Sequence, residues 1–427
     1  MKISKYNYIE HRNGLSYWYN GLNHTYFRIS ESLGRKLESV LETESFESLL
    51  PTEILNLLVD KGFIVDNDCD ELAILYSYHE KSKESKHYQL VILPTLNCNL
   101  NCWYCIQDHI PSKMTDEVMD RLKSHIRYMI DKEKIESIDI SWFGGEPFLY
   151  FDEVIRPINI YAQAYCKEKG VFFSSSATTN CTLVVKDIAD QLSQLNIRNF
   201  QVTLDGVKDL HDSIKFEKNI DSAFDLTLNN LKYILETNPD FNLLLRINYT
   251  SETLNDNIVN EVNSYISPSV RKRVRVILKK VWQEGVQKDR YEVVSHIISS
   301  FRESGYDTRN MDLSFNYLPC YTNKKYYNAI NYDGFVMKCT ANEDPYLKEG
   351  RGILEVDGRI KWKHFFDKKY LEKTFDNGRC LNCKRLPICM GICSRDFLKE
   401  KEFCKQSCFD FDYNSIIVSY IDSCYSF

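Results

Sequence analysis

Between residues 88 and 304 short apolar runs alternate with longer amphipathic ones. The runs "YQLVILPT", "SIDISWFGG", "VFFSSSATT", "NFQVTLDG", "NLLLRINYT" and "RVRVILKK" have the length and composition of strands. Stretches with helical period separate them, for example "MTDEVMDRLKSHIRYMID" and "DSAFDLTLNNLKYILE". Six βα units in succession predict an α/β fold with a parallel sheet and outer helices, either doubly wound or a partial (β/α)6 TIM-like barrel. In both arrangements chemistry gathers at the carboxyl ends of the strands.

The flanks read differently. Residues 1–69 predict a small α+β, winged-helix-like domain. Two Asn-Gly pairs, Asn13-Gly14 and Asn20-Gly21, mark hairpins, and two helical patterns follow, "ESLGRKLESVLE" and "PTEILNLLVDKG". The polar run at 78–87 lacks apolar periodicity, so residues 70–87 are expected to be a linker or an exposed helix end. From about 305 to 427 the alternation stops; cysteines, a short strand "GFVMKC" and a final helix "YNSIIVSYI" take over, as in a domain held together by metal.

Composition narrows the classes. A chain of 427 residues is too long for one ordinary core, and 43% hydrophobic with 27% charged residues is a globular composition. There is no run of 18 apolar residues and no apolar segment behind the first lysines, so neither a membrane span nor a signal peptide is read and a cytoplasmic location is expected. A net charge of -6 provides no basic footprint for nucleic acid. In a reducing compartment fifteen cysteines point to metal or redox roles; three lie at 98–105 and nine between Cys320 and Cys424.

The stretch "LNCNLNCWYC" places Cys98, Cys102 and Cys105 just after the first strand of the alternating region. Three thiolates on a [4Fe-4S] cluster leave one iron open to a small molecule; zinc is the other metal that such spacing suits. The Cys-x3-Cys-x2-Cys spacing, with Tyr104 before the last cysteine, resembles the signature of radical S-adenosylmethionine enzymes. That resemblance implies a cluster whose open iron chelates the amino and carboxylate groups of S-adenosylmethionine and cleaves it to a 5'-deoxyadenosyl radical. It also implies cofactor contacts from Gly144, Gly145, Glu146 and Pro147 after the second strand, Asn180 after the third, and Thr203 and Asp205 at the fourth. The chain departs from the family at Cys181, where glycine is common, and at Leu226, where an arginine is often found. Arg246 on the fifth strand is the expected replacement for that arginine.

The pattern Cys320-x13-Gly334-x4-Cys339, then Cys380-x2-Cys383-x5-Cys389-x3-Cys393, then Cys404 and Cys408, resembles the SPASM domain with its two auxiliary iron-sulfur clusters. Carried over, the first auxiliary cluster takes Cys320, Cys339 and Cys393, and the second takes Cys380, Cys383, Cys389 and Cys408, with Cys404 as the alternative. Ser314 stands where some members have a further ligand. The two resemblances together imply three [4Fe-4S] clusters and an enzyme that modifies a peptide or protein. Residues 1–69 also resemble the element that recognises leader peptides, so the expected partners are a precursor peptide and a flavodoxin- or ferredoxin-type electron donor, with no nucleic acid or membrane. Two alternatives stand beside this: an anaerobic sulfatase maturase, whose aspartate after the x13-Gly-x4 cysteine is replaced here by Thr340, and a non-catalytic iron-sulfur peptide-binding protein. Substrate and bond formed are not readable from the residues, and no catalytic side chain is assigned beyond the cluster ligands.

Overall fold

The computed structural model describes the chain apart from residue 108 and residues 285–290, 310–314, 316, 319, 341–351, 364–373, 392–412 and 426–427. It divides into two compact units. One joins Met1–Ser85 with Arg309–Lys325 and Lys368–Phe427; the other joins Lys86–Thr308 with Tyr326–Asp367. Among the described residues no helix is long and apolar enough to cross a membrane.

The first unit contains strands β1 (Lys2–Ile3), β2 (Asn7–Arg12), β3 (Leu15–Asn20), β4 (Thr25–Ser30) and β5 (Ile64–Val65). β2, β3 and β4 form an antiparallel meander, and β1 pairs with β5. Arg12 pairs with Leu15, so Asn13 and Gly14 are a two-residue turn, and both take positive φ (54° and 74°) as a primed hairpin turn demands. The second Asn-Gly pair is not a turn centre. Asn20 pairs with Thr25 at the strand end, and its buried Oδ1 accepts from the backbone N–H of Leu22 (3.1 Å) and Asn23 (2.9 Å). Side-chain hydrogen bonding there outweighs the local turn preference.

Alternation along β3 sends Trp18 to one face of the meander, with Leu41, Phe46, Leu58 and Phe63. Tyr17 and Tyr19 go to the other face, where with Tyr8 they pack on Ile388, Tyr413, Ile417, Val418 and Ile421. The N-terminal segment therefore shares a core with the C-terminal cysteine region rather than standing as a separate domain at 1–69. The stretch expected as a linker is largely the helix Glu71–Lys83, capped by Asp70, which accepts from the N–H of Leu72 and Ala73. Its charged faces hide a buried ridge of Leu75 and His79, and Leu75 joins Tyr6, Leu22, Leu386 and Met390.

In the second unit β6 (His87–Ile92), β7 (Ser137–Trp142), β8 (Phe172–Thr179), β9 (Ile197–Leu204), β10 (Asn242–Tyr249) and β11 (Val274–Lys280) are parallel and lie side by side in chain order. The order never reverses, which rules out double winding and leaves the singly wound, barrel-type arrangement. β12 (Tyr327–Ile330) adds parallel to β6, and β13 (Phe335–Met337), β14 (Gly352–Leu354) and β15 (Ile360–Trp362) extend the sheet antiparallel. The boundary expected at 304/305 is thus crossed twice: residues 326–367 belong with the parallel strands.

Every parallel strand has an apolar side. Ile138, Ile140, Trp142, Phe200, Val202, Leu204, Leu243, Leu245 and Ile247 join the main core with the helices. The alternate residues Asp139, Ser174, Ser176, Gln201, Thr203, Arg246 and Asn248 give the opposite face a polar lining. Removal of residues 1–69 would strip Tyr8, Tyr17 and Tyr19 from the core around Tyr413 and Ile417. The truncated chain is expected to show new cleavage between Cys380 and Tyr425 in limited proteolysis; an unchanged pattern there would mean the shared core contributes little.

Candidate active site

The thiol loop follows β6 and is laced to the end of β7 by backbone hydrogen bonds. Gly145 N–H donates to Thr95 O (3.1 Å) and Glu146 N–H to Asn97 O (2.8 Å). The approach is so close that a Cβ on Gly145 would lie 2.0 Å from Asn97 O, and one on Gly144, at φ 123°, would lie 2.3 Å from Thr95 O. The two glycines therefore serve the seating of the cysteine loop itself. The return leg is tied as well: Thr95 Oγ1 donates to Ser112 O (2.6 Å) and Leu96 N–H donates to Ser112 Oγ (2.9 Å).

Cys98, Cys102 and Cys105 are half-buried on this loop. Cys98 Sγ accepts from Leu100 N–H (3.4 Å) and Asn180 Nδ2 (3.8 Å), and Cys105 Sγ accepts from Gln107 N–H (3.4 Å). Burial first, then the charge of Glu146, pushes the Cys98 thiol up to about 12. Burial pushes Cys102 to about 11, against the pull of Lys215. Binding metal here therefore means displacing protons. Among the described residues no three Cys, His, Asp or Glu side chains converge on one point as ligands of a single ion do. An iron-sulfur cube takes its thiolates at separate corners, and three soft donors with N–H groups on two of the sulfurs fit it.

Glu146, one of the expected cofactor contacts, has its oxygens turned into the protein. It has no exposed surface; Oε1 accepts from Phe148 N–H (3.0 Å) and Thr179 Oγ1 (2.8 Å), and Oε2 from Asn180 N–H (2.8 Å). Pro147, also buried, opens the 3-10 turn Pro147–Tyr150 behind it. Asn180 in turn holds the loop, donating from Nδ2 to Asn99 Oδ1 (2.9 Å) as well as to Cys98. The next residue, Cys181, is fully buried with φ 63°, and Asn230 Nδ2 donates to its carbonyl (2.8 Å). A residue with a side chain here is held in a conformation that favours glycine.

A second network runs along the ends of β9 and β10. Tyr104 donates from its hydroxyl to Asp205 and accepts from Asn248 Nδ2 (3.1 Å), while its carbonyl accepts from Gln283 Nε2 (2.6 Å). Asn248 Oδ1 accepts from Arg246 Nε (2.9 Å). On the other side Lys215, with 3% of its side chain exposed, lies 3.3 Å from Asp205 Oδ2 and donates to Thr203 Oγ1 (2.7 Å) and the Thr203 carbonyl. Asp205 N–H donates to His211 Nδ1 (3.2 Å), and burial, then Lys215, holds His211 neutral. The structure thus brings Tyr104, Gly144, Gly145, Glu146, Asn180, Thr203, Asp205 and Arg246 into loops and strands that lock the three thiols in place.

Sequence reasoning missed Lys215, Asn248 and Gln283. Asn248 had a signal, the polar step two residues beyond Arg246 on one strand face; Lys215 and Gln283 had none. Of the auxiliary ligands, Cys380, Cys383 and Cys389 lie in the first unit around the short helices Gly378–Leu381 and Leu386–Cys389. Cys383 Sγ accepts from Arg385 N–H (3.4 Å). Cys320 is in the first unit and Cys339 in the second, while Cys393, Cys404, Cys408 and Ser314 fall outside the described residues.

Two outcomes follow for this site. Burial raises the Glu146 carboxyl from 4.5 to about 7, opposed by the N–H groups of Asn180 and Phe148 and the Thr179 hydroxyl. A carboxyl raised on folding favours the fold while protonated; that contribution is full below pH 4.5 and is lost as pH rises through about 7. Glu146→Gln should flatten that window in urea titrations and, by facing the Asn180 N–H with a second donor, lower stability by about 1–3 kcal/mol. At Cys181 a change to Gly should alter stability by no more than about 1 kcal/mol, whereas Cys181→Val should cost about 2 kcal/mol or more. Equal midpoints for those two variants would contradict the strain.

Residues 92–257 match the Radical SAM superfamily. The radical SAM cyclopropyl synthase TigE of Paramaledivibacter caminithermalis is 24% identical over 391 residues, 80% of this chain and 76% of TigE. A cysteine-type anaerobic sulfatase-maturating enzyme of Clostridium novyi is 27% identical over 169 residues, 38% of this chain and 44% of that one. Among solved structures, anSMEcpe with bound AdoMet superposes with a TM-score of 0.53 at 18% identity, covering 79% of this chain and 97% of its own. Streptococcus suis SuiB bound to precursor peptide SuiA gives 0.50 at 16% identity, covering 95% and 99%. The fold, the three-thiol loop at a strand's carboxyl edge and the matched segment agree: residues 92–257 form a radical SAM domain.

Proposed function

We propose that this enzyme is a peptide maturase that acts on a ribosomally made precursor. The observation that carries the reading is the presence, in one chain, of the three-thiol site and an N-terminal meander whose β2 and β4 have, among the described residues, no strand neighbour on their outer edges. An extended leader adds to such an edge through main-chain hydrogen bonds. Ile54 and Leu57, exposed one turn apart on the helix Thr52–Asp60, provide apolar contacts in the same unit. TigE, named as a cyclopropyl synthase, and SuiB, solved with its precursor peptide, support the same class.

A [4Fe-4S] cluster and S-adenosylmethionine held here would supply the one-electron chemistry for removing a hydrogen atom from the substrate, in a crosslink, thioether or related oxidation. Cys98, Cys102 and Cys105 hold the cluster. Gly144, Gly145 and Glu146 seat the loop, and Tyr104, Thr203, Asp205 and Arg246 shape the cofactor's side of it. The polar sheet face, with Asp139, Ser174, Ser176 and Gln201, receives the peptide, and the apolar face behind it keeps water from the reacting centre. Cys320, Cys339 and Cys393, and Cys380, Cys383, Cys389 and Cys408, would hold two auxiliary clusters, which would supply an acceptor for the electron left after hydrogen abstraction. A flavodoxin- or ferredoxin-type protein delivers the first electron.

Anaerobic reconstitution is expected to load about three [4Fe-4S] clusters. Joint replacement of Cys98, Cys102 and Cys105 by alanine should remove one of them and all cofactor cleavage; stoichiometric zinc in place of iron would end the proposal. Ile54→Asp with Leu57→Asp should weaken precursor binding about 10-fold or more while uncoupled cleavage continues. The sulfatase-maturase alternative shares the fold, but Thr340 lacks the carboxylate that would accept a proton near neutral pH. Formylglycine formed on a sulfatase-type peptide, at a rate matching uncoupled cleavage, would favour that alternative. Absence of any cleavage by the loaded enzyme would favour a binding protein.

A further inference from the structure

In the first unit, the face of the β2 to β4 meander that packs on the C-terminal helix Tyr413–Tyr425 is built from tyrosines where phenylalanine would fill the same space. Their rings form a connected line. Tyr8 and Tyr19 are 6.3 Å apart between ring centres, Tyr19 and Tyr420 6.2 Å, Tyr420 and Tyr26 5.7 Å, and Tyr26 and Tyr425 6.1 Å. The line starts in the cysteine region: the Tyr8 hydroxyl donates to Lys384 O (2.8 Å), next to Cys383, and Cys389 packs against the same cluster. It ends at the surface, where Tyr425 is 47% exposed and the Arg28 guanidinium lies 4.4 Å from its ring centre. Tyr19, within the line, has no exposed surface, and its hydroxyl is 2.7 Å from His24 Nδ1. Burial lowers His24 to about 4, so the imidazole is neutral and offers the phenol a base. A phenol gives up an electron far more readily than a phenyl ring when its proton has such an acceptor. None of these residues belongs to the three-thiol site.

We propose that Tyr8, Tyr19, Tyr420, Tyr26 and Tyr425 carry oxidising equivalents from the region of Cys383 and Cys389 to the surface and so protect those thiols. The oxidant is of hydroxyl-radical class, formed from peroxide. It takes one electron from Tyr19 by way of Tyr8 and becomes hydroxide, while the Tyr19 proton moves to His24 Nδ1. An electron from Tyr420 then refills Tyr19, and the proton returns. The hole passes through Tyr26 to Tyr425, whose phenolic proton leaves to solvent and turns the hydroxide into water. A thiol in solution gives a hydrogen atom to the Tyr425 radical, and two thiyl radicals formed in this way join as a disulfide. Without the path the oxidant attacks the protein thiols, whose sulfinic and sulfonic products are not returned by simple reduction. The route does not depend on which peptide the enzyme modifies.

The test uses Tyr19→3-aminotyrosine, an easily oxidised reporter, in the full-length reconstituted protein. A bulky ruthenium polypyridyl photo-oxidant cannot touch a ring with no exposed surface, so a hole at position 19 has to travel there. Illumination is expected to give an aminotyrosyl signal in electron paramagnetic resonance. Tyr420→Phe and Tyr26→Phe keep the rings and remove the redox-active hydroxyls; each should remove most of the signal. His24→Asn, which suits the positive φ of 54° there but offers no base, should do the same. Peroxide treatment of protein without the reporter reads the protective role: sulfinic acid at Cys383 and Cys389 should rise about 3-fold or more in Tyr420→Phe. No reporter signal, or one that survives both Tyr420→Phe and Tyr26→Phe, would overturn the path. Equal cysteine oxidation in wild type and Tyr420→Phe would overturn its protective role. Iron-free protein would overturn the cluster reading of these cysteines instead, and the reporter signal would still decide the path.

Discussion

Glu146 has no exposed surface, yet loops from three successive strands meet at it. Its backbone N–H reaches the thiol loop after β6, its own position closes β7, and its carboxylate gathers Thr179 and Asn180 at the end of β8. Burying a carboxylate is costly, and here two backbone N–H groups and a hydroxyl offset that cost. The described residues of the thiol loop form no helix or strand, so its shape is inherited from this anchor. The glycines beside it follow from the same constraint, since any side chain at Gly145 would push the loop off its support.

The parallel sheet divides the labour between its faces. One face is packed against helices through residues such as Ile140, Val202 and Leu245 and gives the strands their rigidity. The other is polar, and at its carboxyl edge the network from Lys215 through Asp205, Tyr104 and Asn248 to Arg246 crosses two strands and the thiol loop. Each member orients the next, so a change at one end is felt at the other.

Much of this was legible beforehand because strand period and turn chemistry are local. The six strand runs, the helices between them and the Asn13-Gly14 turn appear where the alternation and the residue types put them. The cysteine spacing singled out the loop after β6, since three thiols on one short loop need no tertiary information. What was hidden is long-range. Asn20 became a strand-end anchor because of Gly62, whose carbonyl accepts from its Nδ2. Lys215 is buried because Thr203 and Asp205 happen to face it, and nothing in "HDSIKFEK" distinguishes it from a solvated lysine. Glu146 turned inward for the same kind of reason, and residues 70–87 hid a buried ridge under charge.

The meander of the first unit is made early in the chain, but one of its faces is covered by residues near the end, with Tyr8 and Tyr19 against Tyr413 and Ile421. During synthesis that face waits, uncovered, while several hundred residues are added. Contacts of such sequence separation close slowly, and the parallel strands between them have time to assemble first. A chaperone requirement in the cell, and sensitivity of soluble yield to C-terminal truncation, would have their origin in this delayed closure rather than in any weakness of the catalytic domain.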